Sequence, residues 1–378
     1  MKKWLLASAA TTLLAAGAAH AQEAKIGVIL GFTGPIESLT PAMGDSAELA
    51  LSEVNDAGTF LEGVTLTPVR ADSTCIDSAA ATAAAERLIT TDGVLAIMGA
   101  DCSGVTGAIL SNAAVPNGVP MISPSATSPA LSNADDNGLF FRTAPSDARQ
   151  GEVLASILGE RDISSVAVTY TNNDYGKGFA DSFAAAFEET GGEITLSAPH
   201  EDGKGDYSAE IGALASAGGD VLVVLGYSDL GGKGMIQAAL DTGAFDTFAM
   251  GDGMYSDALL EDLGSALEGS FGSVPWAQGE GTEAFTKIAT DAGINAEGSY
   301  TRESYDAAAL IALAMMKGGE ASSAAVAANV MDVANAPGEE ILPGELGKAM
   351  EILADGGDID YVGATNVELV GEGEAAGT

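Results

Sequence analysis

Basic side chains are scarce. Lysine and arginine together number 15 against 54 aspartates and glutamates, a formal net charge of −39 at pH 7 over 378 residues. A surface of that sign repels phosphate backbones and anionic lipid, so nucleic acid and acidic membranes are excluded as partners. The surplus reads as solubility or as adaptation to a salty medium. Histidine is rarer still, with His20 and His200 alone. A Ser-His-Asp hydrolase would rest on His200, and no Gly-x-Ser-x-Gly elbow exists to serve it. His200 follows a predicted strand in a loop with Glu201 and Asp202, where a lone histidine is expected to be solvated. The run Gly231-Gly232-Lys233-Gly234 lacks the Ser or Thr and the spacing of a phosphate-cradling loop, and Gly251-Asp252-Gly253 lacks the third glycine of a dinucleotide fingerprint. No catalytic residue, metal or cofactor is expected, and the chain does not read as an enzyme.

Long apolar runs are lacking as well. The one near the start, Trp4 to about Ala16, follows Lys2 and Lys3 and leads to the small residues Ala19-His20-Ala21, the layout of a signal peptide over residues 1–21 cleaved after Ala21. It is too short to span a bilayer. The first cysteine is Cys75, so none sits where a lipoprotein would be acylated, and the expected location is the periplasm, as a secreted soluble chain. Only two cysteines exist. Exported to an oxidising compartment, Cys75 and Cys102 read as a structural disulfide; the alternative, a metal or redox site, has neither zinc spacing nor a Cys-x-x-Cys to support it.

What is present is alternation. From Lys25 onward short β-branched runs alternate with longer Ala-rich stretches of helical spacing, the pattern of parallel sheets flanked by helices. Strands are predicted at 25–31, 66–71, 94–99 and 120–123, with helices at about 44–57, stopped by Gly58, and from Asp77 or Ser78 to about 91. A second series follows Phe141-Arg142-Thr143, with strands at 166–171, 193–197, 221–226 and 248–251. The fold class is α/β, two similar lobes, which also suits a chain longer than one compact core. Ligands collect beyond the carboxyl ends of such strands. Two hydroxyl-rich segments stand there, Asp101-Cys102-Ser103-Gly104 and Ser123-Pro124-Ser125-Ala126-Thr127. A helix starting near Ser103 would offer free backbone N–H groups to a carboxylate; equally, Ser103 and Ser125 are good caps for helices or turns.

These segments resemble the branched-chain amino-acid (leucine/isoleucine/valine-type) substrate-binding proteins of bacterial ABC transporters, type I periplasmic binding proteins. The resemblance runs through the whole chain after the leader. It rests on Ile26-Gly27-Val28 with Thr33-Gly34-Pro35, the Cys75 to Cys102 spacing, Cys102-Ser103-Gly104, Met121 to Thr127, Phe141-Arg142-Thr143, Asp174-Tyr175-Gly176-Lys177-Gly178, Met250-Gly251-Asp252-Gly253 and Tyr305-Asp306-Ala307-Ala308. It implies two Rossmann-like lobes joined by a three-segment hinge, with crossings near Arg142, Val274 and Gly357. The first lobe would then be 22–142 plus 275–357 and the second 143–274 plus 358–378. Ser103 and Thr127 resemble the side chains that, with backbone N–H groups, hold a ligand carboxylate; the Ser125 carbonyl and the Thr127 hydroxyl would face the ammonium group, and Ala126 between them counts among the ligand-binding residues. Tyr175 and Tyr227 resemble the closing aromatics, Asp252 or Gly253 the place of an acid against the ammonium, and Tyr305 a pocket tyrosine. The implied function is capture of an amino acid by hinge closure, as a monomer, for delivery to permease subunits in the inner membrane. The alternatives are a sensing subunit for a chemoreceptor or kinase, or a receptor for an amide, urea or carboxylate. Asp101 stands where leucine-binding members carry an apolar residue. Beside the pocket it would favour a smaller or more polar ligand.

Overall fold

A computed structural model describes residues 22–377, so the expected leader lies outside the described residues. The chain opens with β1 (Gln22–Leu30), α1 (Thr40–Ala57), β2 (Val64–Asp72), α2 (Ser78–Arg87), β3 (Ala96–Gly99) and α3 (Ser103–Ile109). A widened turn leads to α4 (Val115–Asn117), then β4 (Met121–Ser123) and β5 (Phe140–Arg142). The middle of the chain is α5 (Asp147–Glu160), β6 (Ser165–Thr171), α6 (Asp174–Glu189), β7 (Glu193–His200), α7 (Ser208–Ala217), β8 (Val221–Leu225), α8 (Gly231–Thr242), β9 (Phe248–Met250), α9 (Asp257–Leu263) and β10 (Phe271–Gly272). It ends with α10 (Glu280–Asp291), α11 (Thr301–Gly318), α12 (Ser323–Ala334), β11 (Glu339–Ile341), α13 (Leu346–Ala354), β12 (Ile359–Tyr361), β13 (Leu369–Val370) and β14 (Glu374–Ala375).

Two doubly wound sheets result. The first runs β13-β14-β5-β4-β3-β1-β2 and the second β10-β9-β8-β6-β7. All neighbours are parallel except β13 with β14. Strand order reverses between β1 and β3 in one sheet and between β6 and β8 in the other, and at such switch points the loops leaving the two strands diverge and open a crevice. Every residue of β8, Val-Leu-Val-Val-Leu, is buried, as expected of a central parallel strand covered on both faces.

Local chemistry explains the boundaries. Asp77 caps α2, its carboxylate accepting from the N–H groups of Ala79 and Ala80 at 3.0 Å each. Gly58 ends α1 in the left-handed region at φ 68°. α1 begins four residues before the expected start because Pro41 fits its first turn, where no N–H is needed. α11 is buried from Thr301 to Met316 on every side, packing with Phe285, Val326 and Met350 in the core of the first lobe. β7 runs on to His200, which is therefore not solvated. It is 1% exposed, with Nδ1 2.8 Å from Thr169 Oγ1, and burial holds its pKa down at about 4. The side chain is neutral and part of the second lobe's core.

The tail departs from the expected division. Residues 358–378 were expected in the second lobe. Instead β12 pairs with β11, and Ile359, Tyr361 and Leu369 lie in the first lobe's core. β14 extends the first sheet, with Glu374 opposite Arg142 on β5. Backbone pairing decides this: β5 offers an open edge, and the tail supplies a short strand to cover it.

Candidate ligand-binding site

The loops leaving the switch-point strands of both sheets meet across a small cavity of about 30 Å³. Ile36, Leu39 and Met43 form its apolar wall, Ser103 and Ser125 its first-lobe polar wall, and Tyr175, Tyr227 and Tyr300 close it opposite. The lobes are shut over this space. Asp229 at the end of the β8 loop accepts from Ser38 N–H and from Ser38 Oγ, both at 2.8 Å, and its own N–H donates to Pro35 O at 3.0 Å.

On the first lobe, Ser103 Oγ accepts from Ser128 N–H at 3.0 Å, and no side chain caps the start of α3. Ser125 Oγ donates to Asp101 O at 3.2 Å, while the Ala126 N–H donates to Ser123 Oγ at 2.9 Å. Arg142 sits beneath this loop, 1% exposed. One arm of its guanidinium donates to Ala126 O (2.9 Å) and Ser128 O (3.0 Å), the other to Ser132 Oγ (2.7 Å) and Glu374 (2.6 Å). An arginine fork spent on two carbonyls and a carboxylate fixes the 126–128 backbone from behind. Thr127 is fully buried, and its hydroxyl makes no hydrogen bond of good geometry, although it lies near enough to the Asp147 carboxylate to stabilise the ionised form. Neither carboxylate oxygen of Asp147, equally buried in the first turn of α5, makes one either.

On the second lobe, Tyr175 donates to Asp252 Oδ1 at 2.9 Å and accepts from Gly253 N–H at 3.2 Å. Its ring stacks on Tyr227 at 5.2 Å, and Tyr227 Oη accepts from Asn173 at 3.3 Å. Gly253 is obligatory on packing grounds, since a Cβ there would lie 2.6 Å from Gly226 O. Tyr300 donates to Asp252 Oδ2 at 2.6 Å, which ties a residue of the first lobe's core to the second lobe's acid. Burial raises both Asp147 and Asp252; for Asp147 the nearby charge of Asp252 adds to the rise. Burial also lifts Tyr175 and Tyr300 well above the ordinary phenol range, so both hydroxyls remain donors.

Of the expected site residues, Ser103, Ser125, Tyr175, Tyr227 and Gly253 line the cavity; Asp252 lies behind it, bonded to Tyr175 and Tyr300, and Ala126 and Thr127 follow Ser125 without lining it. Tyr305 does not line it either. It is fully buried in the first lobe's core, its ring edge-on to Phe285 and its hydroxyl 2.5 Å from Glu53. The pocket tyrosine from the returning segment is Tyr300. Asp101 does line the cavity. Its carboxylate accepts from Gly31 N–H (2.5 Å), Ser73 Oγ (3.0 Å) and Cys102 N–H (2.9 Å), which ties the ends of β1 and β2 to the segment holding the disulfide. Cys75 and Cys102 are bonded, with Cα atoms 5.2 Å apart.

Comparison with known proteins follows the same outline. The family model "Periplasmic binding protein" matches residues 23–345. The chain is a periplasmic binding protein of the Leu/Ile/Val-binding family. A Leu/Ile/Val-binding protein homologue from Brucella melitensis is 31% identical over 326 residues, covering 84% of this chain and 85% of that one. A chemotactic signal transduction system substrate-binding protein, BasB of Halobacterium salinarum, is 29% identical over 358 residues, covering 92% and 84%. Among solved structures, the branched-chain amino acid transporter substrate-binding protein LivJ of Streptococcus pneumoniae, in complex with isoleucine, superposes with a TM-score of 0.76 at 22% identity, 94% of each chain being covered. These relatives are substrate-binding proteins, and this member is a binding protein rather than an enzyme.

Two groups escaped the sequence reading. Asp147 follows Ser146, which caps α5 by accepting from Ala148 N–H, so in sequence the pair looks like ordinary helix-start chemistry. Tyr300 precedes α11 in a left-handed conformation and carried no motif of its own.

Proposed function

We propose that this chain captures an amino acid in the periplasm and delivers it to the permease of an ABC importer. The observation that carries the reading is the polarity of the closed cleft. The Ser103 and Ser125 hydroxyls and the uncapped start of α3 line the first lobe, suited to a carboxylate, while two acids stand just behind the lining, Asp147 beside Thr127 and Asp252 behind Tyr175 and Tyr300, suited to an ammonium group. The Thr127 hydroxyl and Asp147 oxygens are buried groups without a hydrogen bond of good geometry, whose cost is offset when a ligand supplies their partners. Ile36, Leu39 and Met43 would take a short aliphatic side chain. Ligand would bind one lobe in an open form, and closure would bring Tyr175, Tyr227 and Tyr300 over it.

A thermal-shift screen of protein refolded to strip ligand, against amino acids, amides, urea and carboxylates, tests this. Ligand at 100 times its Kd stabilises by about 2.7 kcal/mol. Shifts with α-amino acids support the reading; shifts confined to compounds without an α-ammonium group overturn the roles of Asp147 and Asp252. The near full-length match to a chemotactic substrate-binding protein favours a second reading, presentation of the loaded form to a chemoreceptor. Cross-linking of the ligand-bound protein to its membrane partner separates the two.

A further inference from the structure

Away from the cleft, the two crossings between the lobes and the tail enclose a second cavity of about 350 Å³. Thr143 lines it from the first crossing, Trp276 and Gln278 from the second, Glu303 from the first turn of α11, and Asn366 and Glu368 from the tail. Glu303 is the group that the rest of the fold does not use. It is 7% exposed, yet no side chain among the described residues hydrogen-bonds its carboxylate; Thr143 donates to its carbonyl instead, at 2.9 Å.

The charged groups around Glu303 are committed elsewhere. Asp306, on the next turn, is saturated by Tyr361 Oη and by Ala364 and Thr365. Arg302 acts on Glu303 only through space, its guanidinium being 2.9 Å from Glu297 and 4.0 Å over the Trp276 ring. The crossings bring no charged residue to the wall, and Glu368 adds a second negative one. A buried carboxylate facing an open, polar cavity with no cation bonded to it is unfavourable unless a proton or a cation joins it. Burial lifts the Glu303 carboxyl to about 7, with Asp306 adding to the rise and Arg302 opposing it. Near neutral pH, cation and proton compete for one place. No group of three metal-ligating side chains is found among the described residues, which argues against a transition metal.

We propose that this crevice is a second binding site, for a small monovalent cation, either an alkali ion or a primary ammonium compound, with the Glu303 carboxylate as its anchor. Glu368, on the same wall, adds a second carboxylate toward the ion.

Trp276 is the reporter. The sequence holds two tryptophans, Trp4 and Trp276, so the chain from Gln22 onward, which comprises the described fold, carries Trp276 alone. Its emission is followed while sodium, potassium or methylammonium chloride is titrated at low starting salt. The expected result is a saturable change, with a midpoint about tenfold higher at pH 6 than at pH 8, since a group titrating at about 7 is largely protonated at the lower pH. Glu303→Gln raises the midpoint at least tenfold and removes its pH dependence. The arm with the lowest midpoint tells an inorganic from an organic occupant. Glu368→Gln, at an exposed position, keeps the fold and raises the midpoint more modestly, which decides the matter should the Glu303 variant fail to fold. A response that does not saturate, or one with the same midpoint in both variants, overturns the proposal. No amino acid enters the measurement, so its failure leaves the reading of the cleft standing.

Discussion

Asp229 and Ser38 clasp the mouth of the cleft from opposite lobes. The Asp229 carboxylate takes both the backbone N–H and the hydroxyl of Ser38, each at 2.8 Å. Neither residue lines the cavity. The clasp belongs to closure rather than to ligand recognition. Asp229→Ala should therefore speed ligand release about 5- to 10-fold, with the association rate little changed, because a charge-assisted bond made only in the closed form contributes about 1–2 kcal/mol at a solvent-exposed position. Stopped-flow release from the two proteins checks this. Equal release rates would show that the clasp does not hold the cleft shut.

Tyr300 and Tyr305 should separate cleanly on substitution. Tyr300→Phe removes a bond to Asp252 across the cleft and should weaken ligand binding about 10-fold while leaving the melting temperature within a few degrees. Tyr305→Phe leaves Glu53 short of a partner in the first lobe's core and should lower stability by about 1–3 kcal/mol with affinity unchanged. Isothermal titration and urea melts on both variants give the comparison, and the reverse pattern would return Tyr305 to the pocket.

Thr127 offers a test that separates affinity from stability. Its hydroxyl is fully buried and makes no hydrogen bond of good geometry, the Asp147 carboxylate nearby being only weakly engaged, so Thr127→Val, which keeps the shape, should change the stability of the unliganded protein by less than about 1 kcal/mol. Affinity for an amino acid should nonetheless fall about 10-fold. A loss of stability with affinity intact would mean that the hydroxyl serves the fold.

Stability should fall as the solution is made more alkaline. Burial raises Glu303 from its ordinary value to about 7 and Asp306 to about 6. The folded chain thus binds these protons more tightly than the unfolded chain does. Stability present at about pH 4 is progressively lost as pH climbs through 6 and 7. The net charge of −39 pushes the same way, since self-repulsion grows as carboxyls ionise. His200, held down at about 4, opposes this below pH 6.5, so denaturant melts at pH 5 and pH 8 should differ by only about 1–2 kcal/mol in favour of pH 5, and Glu303→Gln should remove or reverse the gap. A flat profile would mean that the buried carboxyls relax into contact with water.

The sequence announces most of the architecture because its signals are local. Gly58 and Asp77 mark helix ends through chemistry confined to a single turn, and the all-apolar β8 announces a covered strand. The cleft was legible where strand ends coincide with hydroxyl clusters, as at Ser103 and Thr127. What was hidden depends on rotation and distance. Tyr305 points into the core from within α11, while Tyr300 stands just outside the helix in a left-handed conformation that turns its side chain to the cavity, a difference that spacing along the sequence does not carry. The tail strands are two residues each amid glycine and acid, and only the edge offered by Arg142 makes them strands.

That tail pairing bears on the order in which the molecule is put together. The second lobe is one continuous stretch, from α5 to β10, and can assemble as soon as it is made. The first lobe starts the chain, but its core needs α10 to α13, and its sheet is completed only when Glu374 reaches Arg142, 232 residues away in sequence. Closing so long a loop is slow, and it costs less once the intervening segment is already compact. The lobe that is synthesised first is therefore the lobe that finishes last. Until the final residues arrive, Arg142 lacks the one carboxylate bonded to it, so a chain cut short at its end would hold a complete second lobe and a first lobe whose 126–128 loop rests on an unpaired buried charge.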